Sequence, residues 1–210
     1  MLSLKKSFLI FAAFFFLSLS SSLAFADDDY DPHFGGLGVH AIGYYQSPIR
    51  LTNGDCLDMN VFGGAGWYLK GRVNRYLSIE FINDYIYAKY RDHYGDVLKV
   101  PISLGLQGHF LDYGPWDVYL IGDFSMIVVA LLKGGNVESM HGDNAFLSLG
   151  GQFGVGFSHI FKKYDDPYWE MGLEIRYVVE EAPKRSAYGI VNTQHPIHGV
   201  MFSLNIGLYL

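Results

Sequence analysis

The feature that most constrains this chain is a period of two in its hydrophobic pattern. From Val200 the even positions are Val200, Phe202, Leu204, Ile206, Leu208 and Leu210, while the odd ones are Met201, Ser203, Asn205, Gly207 and Tyr209. Successive side chains of a strand point to opposite faces, so such a segment is a strand with one apolar face. The split recurs upstream. In 76–90, Leu77, Ile79, Phe81, Tyr85 and Tyr87 share a face against Ser78, Glu80 and Asp84. In 97–110, Leu98, Val100, Ile102, Leu104, Leu106 and Phe110 oppose Lys99, Ser103, Gln107 and His109. Segments 116–131, 145–161 and 168–180 repeat the pattern, setting Asp117, Asp123 and Ser125, then Gln152, then Glu170, Glu174 and Arg176 against apolar faces. Two Gly-rich segments near 35–46 and 59–70 alternate less cleanly.

These eight segments are joined by links of two kinds. Those at 71–75, 111–115 and 162–167 are short; those at 47–58, 91–96, 132–144 and 181–197 are mostly longer and polar. Short turns on one side and long loops on the other are the layout of an up-and-down barrel in an outer membrane. An even number of antiparallel strands closes without leaving an edge.

Half of the 210 residues are hydrophobic and 17% are charged, too apolar a mixture for a disordered chain. The formal charge of −6, with no basic run, argues against nucleic-acid binding. Cys56 is the only cysteine, which excludes an intramolecular disulfide and a Cys-based zinc site.

Residues 1–26 have the make-up of a cleaved signal peptide. Lys5 and Lys6 precede an apolar run from Phe8 to Leu17, and Ala24-Phe25-Ala26 is a small-x-small cleavage site. The expected organisation is therefore signal peptide 1–26, periplasmic N-terminal tail 27–33, and barrel 34–210. The tail begins with Asp27, Asp28 and Asp29.

Alternation alone leaves open which face looks outward. A soluble, lipocalin-like barrel would bury the apolar face; a membrane barrel would turn it to lipid. Two features favour the membrane. The apolar faces are long and free of charge, and a charge at the bilayer midplane would cost about 2–4 kcal/mol. Aromatic residues also gather toward the short turns: Trp67, Tyr68, Tyr76, Phe110, Trp116, Phe161, Tyr168 and Trp169. An interfacial girdle belongs there. The reading is all-β: an eight-stranded antiparallel transmembrane barrel, exported to the outer membrane of a Gram-negative bacterium, with both termini in the periplasm.

In this pattern the chain resembles the small eight-stranded outer-membrane barrels of the OmpA-barrel, OmpX and OmpW type. The resemblance covers nearly all of 30–210 and rests on no short motif. Many members end in an aromatic residue; here Tyr209 is penultimate. The resemblance implies a monomer in contact with outer-membrane lipid and lipopolysaccharide and with the outer-membrane assembly machinery. It implies no cofactor. Such barrels include structural anchors, adhesins, conduits for hydrophobic solutes and lipid-modifying enzymes, so fold does not fix function. Leu173-Glu174-Ile175-Arg176-Tyr177 is also faintly similar to the penultimate strand of lipid A deacylase barrels. There an Arg-Tyr pair is followed by His-x-Ser-Asn; here Val179 and Glu181 stand at the His and Ser positions. Ser158 and His159 are adjacent in one strand, so they point to opposite faces and form no pair. No catalytic residue is assigned.

The candidate site is the set of charges on the inward face: Glu80, Asp84, Lys99, Asp123, Glu174 and Arg176. A barrel of this size is just filled by its own side chains. Charges buried there must pair, and Lys99 and Arg176 are expected to be bridged by several of these carboxylates. The set reads first as a plug that holds the barrel closed, and otherwise as a gated ion path or a proton-linked site. Arg50, His141, Lys184 and Arg185 are the loop residues expected to contact an external ligand or surface. His195 and His198 flank a proline but lack a third ligand at fixed spacing, so no metal site is expected. The non-enzymatic surface or structural role is the leading function. The alternatives are a lipid A acyl hydrolase and a conduit for small hydrophobic solutes. The conduit needs an apolar interior near the outer rim, for which Ile42, Phe62, Ile82 and Ile86 are candidates.

Overall fold

The computed structural model describes residues 35–50, 56–57, 62–89, 96–113, 115–133, 145–161, 167–181 and 196–209. Eight strands form one closed sheet: β1 (Gly36–Gln46), β4 (Phe62–Asn74), β5 (Leu77–Lys89), β6 (Asp96–Tyr113), β7 (Trp116–Lys133), β8 (Ala145–Phe161), β9 (Tyr168–Glu180) and β10 (Ile197–Tyr209). Two short strands, β2 (Ile49–Arg50) and β3 (Cys56–Leu57), pair with each other beyond the end of β1. Each barrel strand is antiparallel to its chain neighbour, and β1 closes the ring against β10. No helix occurs among the described residues.

Several strands run beyond their sequence-based limits. β6 extends to Tyr113 and β7 to Lys133, while β10 begins at Ile197 rather than Val200. The link expected at 71–75 shrinks to a two-residue turn, Arg75 and Tyr76. Asn74 makes it: its side-chain oxygen accepts the Tyr76 amide at 2.8 Å, an Asx-type turn. Bulges interrupt the ladder between Arg72 and Asn74 and between His109 and Leu111.

Accessibility settles the orientation of the faces. Leu104 is 60% exposed and Leu173 59%, whereas Asp84 is 0%, Lys99 1% and Glu174 3% exposed. Apolar residues cover the outside and charges fill the inside, the inverse of a water-soluble protein. The solvent that suits this exterior is hydrocarbon.

The aromatic girdle needs correction. Tyr76, Phe110, Trp116, Phe161 and Trp169 are exposed toward the short-turn end. Tyr68 and Tyr168 are buried inside the barrel, because each falls on the inward parity of its strand. Tyr168 stacks on Tyr209 with centroids 4.9 Å apart. Trp67 faces outward but sits mid-strand, opposite Val39 and Asn83. A second exposed set stands near the long-loop end, Tyr45, Tyr85, Tyr87 and Tyr177; alternation puts Tyr85 and Tyr87 on the outward face, but the girdle they form at this end was not expected. Glycines on the inward face leave room for the large interior side chains. A Cβ on Gly199 would lie 2.6 Å from the Tyr44 ring.

Candidate functional site

The six charges read from the sequence are all buried in the lumen, but they form three groups rather than one. The central group is built on Arg176 of β9. Its Nη2 donates to Glu174 Oε2 at 2.6 Å and to Glu80 Oε1 at 3.2 Å, and its Nη1 bonds Asp123. Its Nε donates to Glu174 at 2.9 Å. These partners come from β5, β7 and β9, so one guanidinium ties together walls that are not neighbours in the sheet. The carboxylates have further donors. Gln107 Nε2 gives a bond to Glu80 at 2.7 Å, and Tyr119 OH gives one to Glu174 at 2.8 Å. A planar fork of donors suits this task where a lysine's point charge would not.

Asp84 does not join Arg176. It lies 2.6 Å from His40 Nε2, across β4 on β1. Lys99 does not meet any of the four carboxylates named with it. Its Nζ donates to Glu180 at 2.7 and 2.8 Å and to Gln46 at 2.6 Å. Glu180 also accepts from Tyr44 OH at 3.1 Å. Glu180 shares the inward parity of Glu170, Glu174 and Arg176, so alternation could have found it. A third cation, Lys70, reaches Glu170 at 3.3 Å and lies 4.9 Å from the centre of the Tyr119 ring. Its strand is the Gly-rich β4, where the alternation is weak.

The three cations therefore stand at successive levels: Lys99 toward the long loops, Arg176 in the middle, Lys70 toward the short turns. Around Lys99 the wall is apolar, with Ile42, Phe62, Ile86, Val97, Ile127 and Met201 packed in one cluster. Ile82 is also buried but lies outside that cluster. Between Lys70 and Arg176 is a cavity of about 10 Å³, room for a single water.

At the short-turn end, Ser78, His109 and Asp117 form a chain that the sequence reading missed. Ser78 Oγ is 2.7 Å from His109 Nε2, and His109 Nδ1 is 2.7 Å from Asp117 Oδ2. The residues lie on three different strands, so no local spacing announces them.

Ser158 is buried in the lumen while His159 packs outside on Trp116, with ring centroids 4.2 Å apart. Val179 and Glu181 leave the His and Ser positions of the deacylase pattern without a His or a Ser. His198 bonds Tyr177 OH at 2.7 Å on the exterior. His141, Lys184, Arg185 and His195 lie outside the described residues, as do the expected signal peptide and tail. Arg50 is placed by its backbone in β2. No group of metal-ligating side chains occurs among the described residues.

No protein-family model matches the chain, and no curated protein matches it. Solved structures do. Neisserial surface protein A is 15% identical, with a TM-score of 0.51 over 84% of this chain and 97% of that one. The outer-membrane protein OprG of Pseudomonas aeruginosa is 12% identical, with a TM-score of 0.46 over 84% of this chain and 96% of that one. The N-terminal barrel domain of OprF from the same organism is 11% identical, with a TM-score of 0.46 over 83% of this chain and 97% of that one. A closed antiparallel ring of eight strands, apolar outside and charged within, is the fold of the small outer-membrane barrels.

Proposed function

We propose that the chain is an integral outer-membrane protein of a Gram-negative cell, with a closed lumen and a non-enzymatic surface or structural role. The observation that carries this reading is the network on Arg176. It joins β5, β7 and β9 through Glu80, Asp123 and Glu174 and fills the middle of the lumen. Buried ions held in this way resist rearrangement, because losing one partner leaves an uncompensated charge. The barrel then serves as a rigid base for the connections at its long-loop end, where Arg50, His141, Lys184 and Arg185 are the candidate contacts for an external ligand or surface. It works as a monomer set in lipid and lipopolysaccharide after insertion by the assembly machinery.

Planar-bilayer recording tests the closed lumen. The purified barrel is expected to give no conductance steps, and regular steps would overturn the plug.

One observation favours a second reading. The apolar cluster around Ile42, Phe62 and Ile86 lies at the long-loop end, where a conduit for small hydrophobic solutes would need it. In the conduit, a solute enters by displacing that cluster and leaves above the Arg176 level. Uptake of a radiolabelled alkane by cells with and without the protein separates the two readings.

A further inference from the structure

The Arg176 network is short of hydrogens. Three carboxylates, Glu80, Asp123 and Glu174, face one guanidinium, so the group holds more negative than positive charge inside the barrel. Five of their six oxygens accept a hydrogen bond. Glu174 Oε2 takes Arg176 and the Ser203 hydroxyl, and its Oε1 takes Tyr119 OH. Glu80 Oε1 takes Arg176, and its Oε2 takes Gln107. Asp123 Oδ2 takes Arg176 Nη1. The sixth oxygen, Asp123 Oδ1, is buried, and no N–H or hydroxyl group reaches it. It lies where a Cβ on Gly105, its partner on β6, would stand, so backbone closes that side. Nor does Asp123 border the cavity of about 10 Å³ beside Arg176; a water there serves the unpaired oxygens of Gln107 and Asn205 instead. Asp123 is in hydrogen-bond contact with Glu80. A carboxylate only accepts, so a bond between two carboxyl groups needs a hydrogen that one of them carries. Two like charges in contact do not both ionise.

We propose that Glu80 and Asp123 hold one proton between them, so that a bound proton closes the centre of the lumen together with Arg176. This deepens the closed-lumen reading and rests on it. The proton gives Asp123 Oδ1 a partner and halves the excess negative charge of the group. Other charged groups at this level are matched elsewhere. Glu174 on β9 has Tyr119 of β7 and Ser203 of β10 as donors, and Asp84 on β5 has His40 of β1. Tyr68 and Lys70 stand on β4, where Lys70 is drawn to Glu170; Lys99 on β6 is drawn to Glu180. Gln152 on β8 and Asn205 on β10 carry no charge. Loss of the proton sets two anions against each other in a buried site, so the plug loosens as the pH rises.

The test is infrared spectroscopy of the full folded chain in lipid vesicles at neutral pH. The expected result is the C=O stretching band of a protonated carboxyl group, lost in Asp123→Asn and in Glu80→Gln but kept in Asp84→Asn. In either of the first two variants the new amide supplies the hydrogen that the proton supplied. Both should therefore keep the wild-type urea midpoint, whereas Glu174→Gln should lower it. Alkaline pH should lower the wild-type midpoint further than that of Asp123→Asn. The wild-type spectrum needs no variant to fold, and absence of the band there would overturn the proposal. So would a band that survives in Asp123→Asn or Glu80→Gln, or equal alkaline losses in wild type and Asp123→Asn. A band present beside regular conductance steps supports the proton site and faults the closed lumen alone. No band in a silent barrel overturns the proton site alone.

Discussion

Arg176 folds back along its own strand to hold Glu174, two residues earlier, with Nη2 and Oε2 2.6 Å apart. Residues at that spacing share a face of a strand, so the pair needs no tertiary contact to form. The same guanidinium then reaches Glu80 and Asp123 on distant strands. A local pair thereby becomes the centre of a cross-lumen network. Replacing Arg176 with Met should leave three buried carboxylates without their cation. The expected loss is about 3–5 kcal/mol, read as a lower urea midpoint for unfolding from micelles or vesicles.

Lys99 and Glu180 give a sharper test of pairing. Lys99→Met alone strands Glu180, and Glu180→Met alone strands Lys99 among apolar neighbours. The double replacement puts two apolar side chains into an apolar cluster. It should be more stable than either single variant, with a coupling energy of about 2 kcal/mol or more in a double-mutant cycle.

The outward face should be sensitive to charge in a depth-dependent way. Leu173 and Leu104 are exposed in the interior of their strands. Arg at either site should cost about 2–4 kcal/mol in a bilayer. Arg at Phe161, beside a short turn and near the interface, should cost about 1 kcal/mol or less. Equal costs at the two depths would argue against a hydrocarbon exterior.

Gly154 should not tolerate a side chain. It lies on the inward face of β8, and an added Cβ would meet the Arg176 Cα at 2.9 Å, where backbone and not a flexible side chain stands in the way. Gly154→Val should disturb the β8–β9 ladder next to Arg176. The expected outcome is a reduced folded fraction on an unheated gel.

The fold was legible because one rule, alternation, applies independently to every strand. It identified the strand class, the inward charges and the short and long links from single segments. Some of its failures are local as well. Nearness to the turns groups Tyr68 and Tyr168 with the girdle, although parity puts them inside. Glu180 sits at a strand end beside Glu181, where a boundary error of one residue hides the face. The partners of Lys99 and Asp84 depend on which walls face each other across the ring. That is set by closure and register, which no single segment encodes. Ser78, His109 and Asp117 show the same limit: three ordinary polar residues acquire a relationship only when β5, β6 and β7 pair.

An apolar exterior and a charged interior suit a barrel held in a membrane. The most direct measurement is the migration of the purified outer-membrane fraction on a detergent gel, with and without heating. The expected result is recovery in the membrane and a band that shifts on boiling, because a closed barrel resists the detergent until heated. A protein recovered only in the soluble periplasmic fraction, with one mobility at both temperatures, would contradict it.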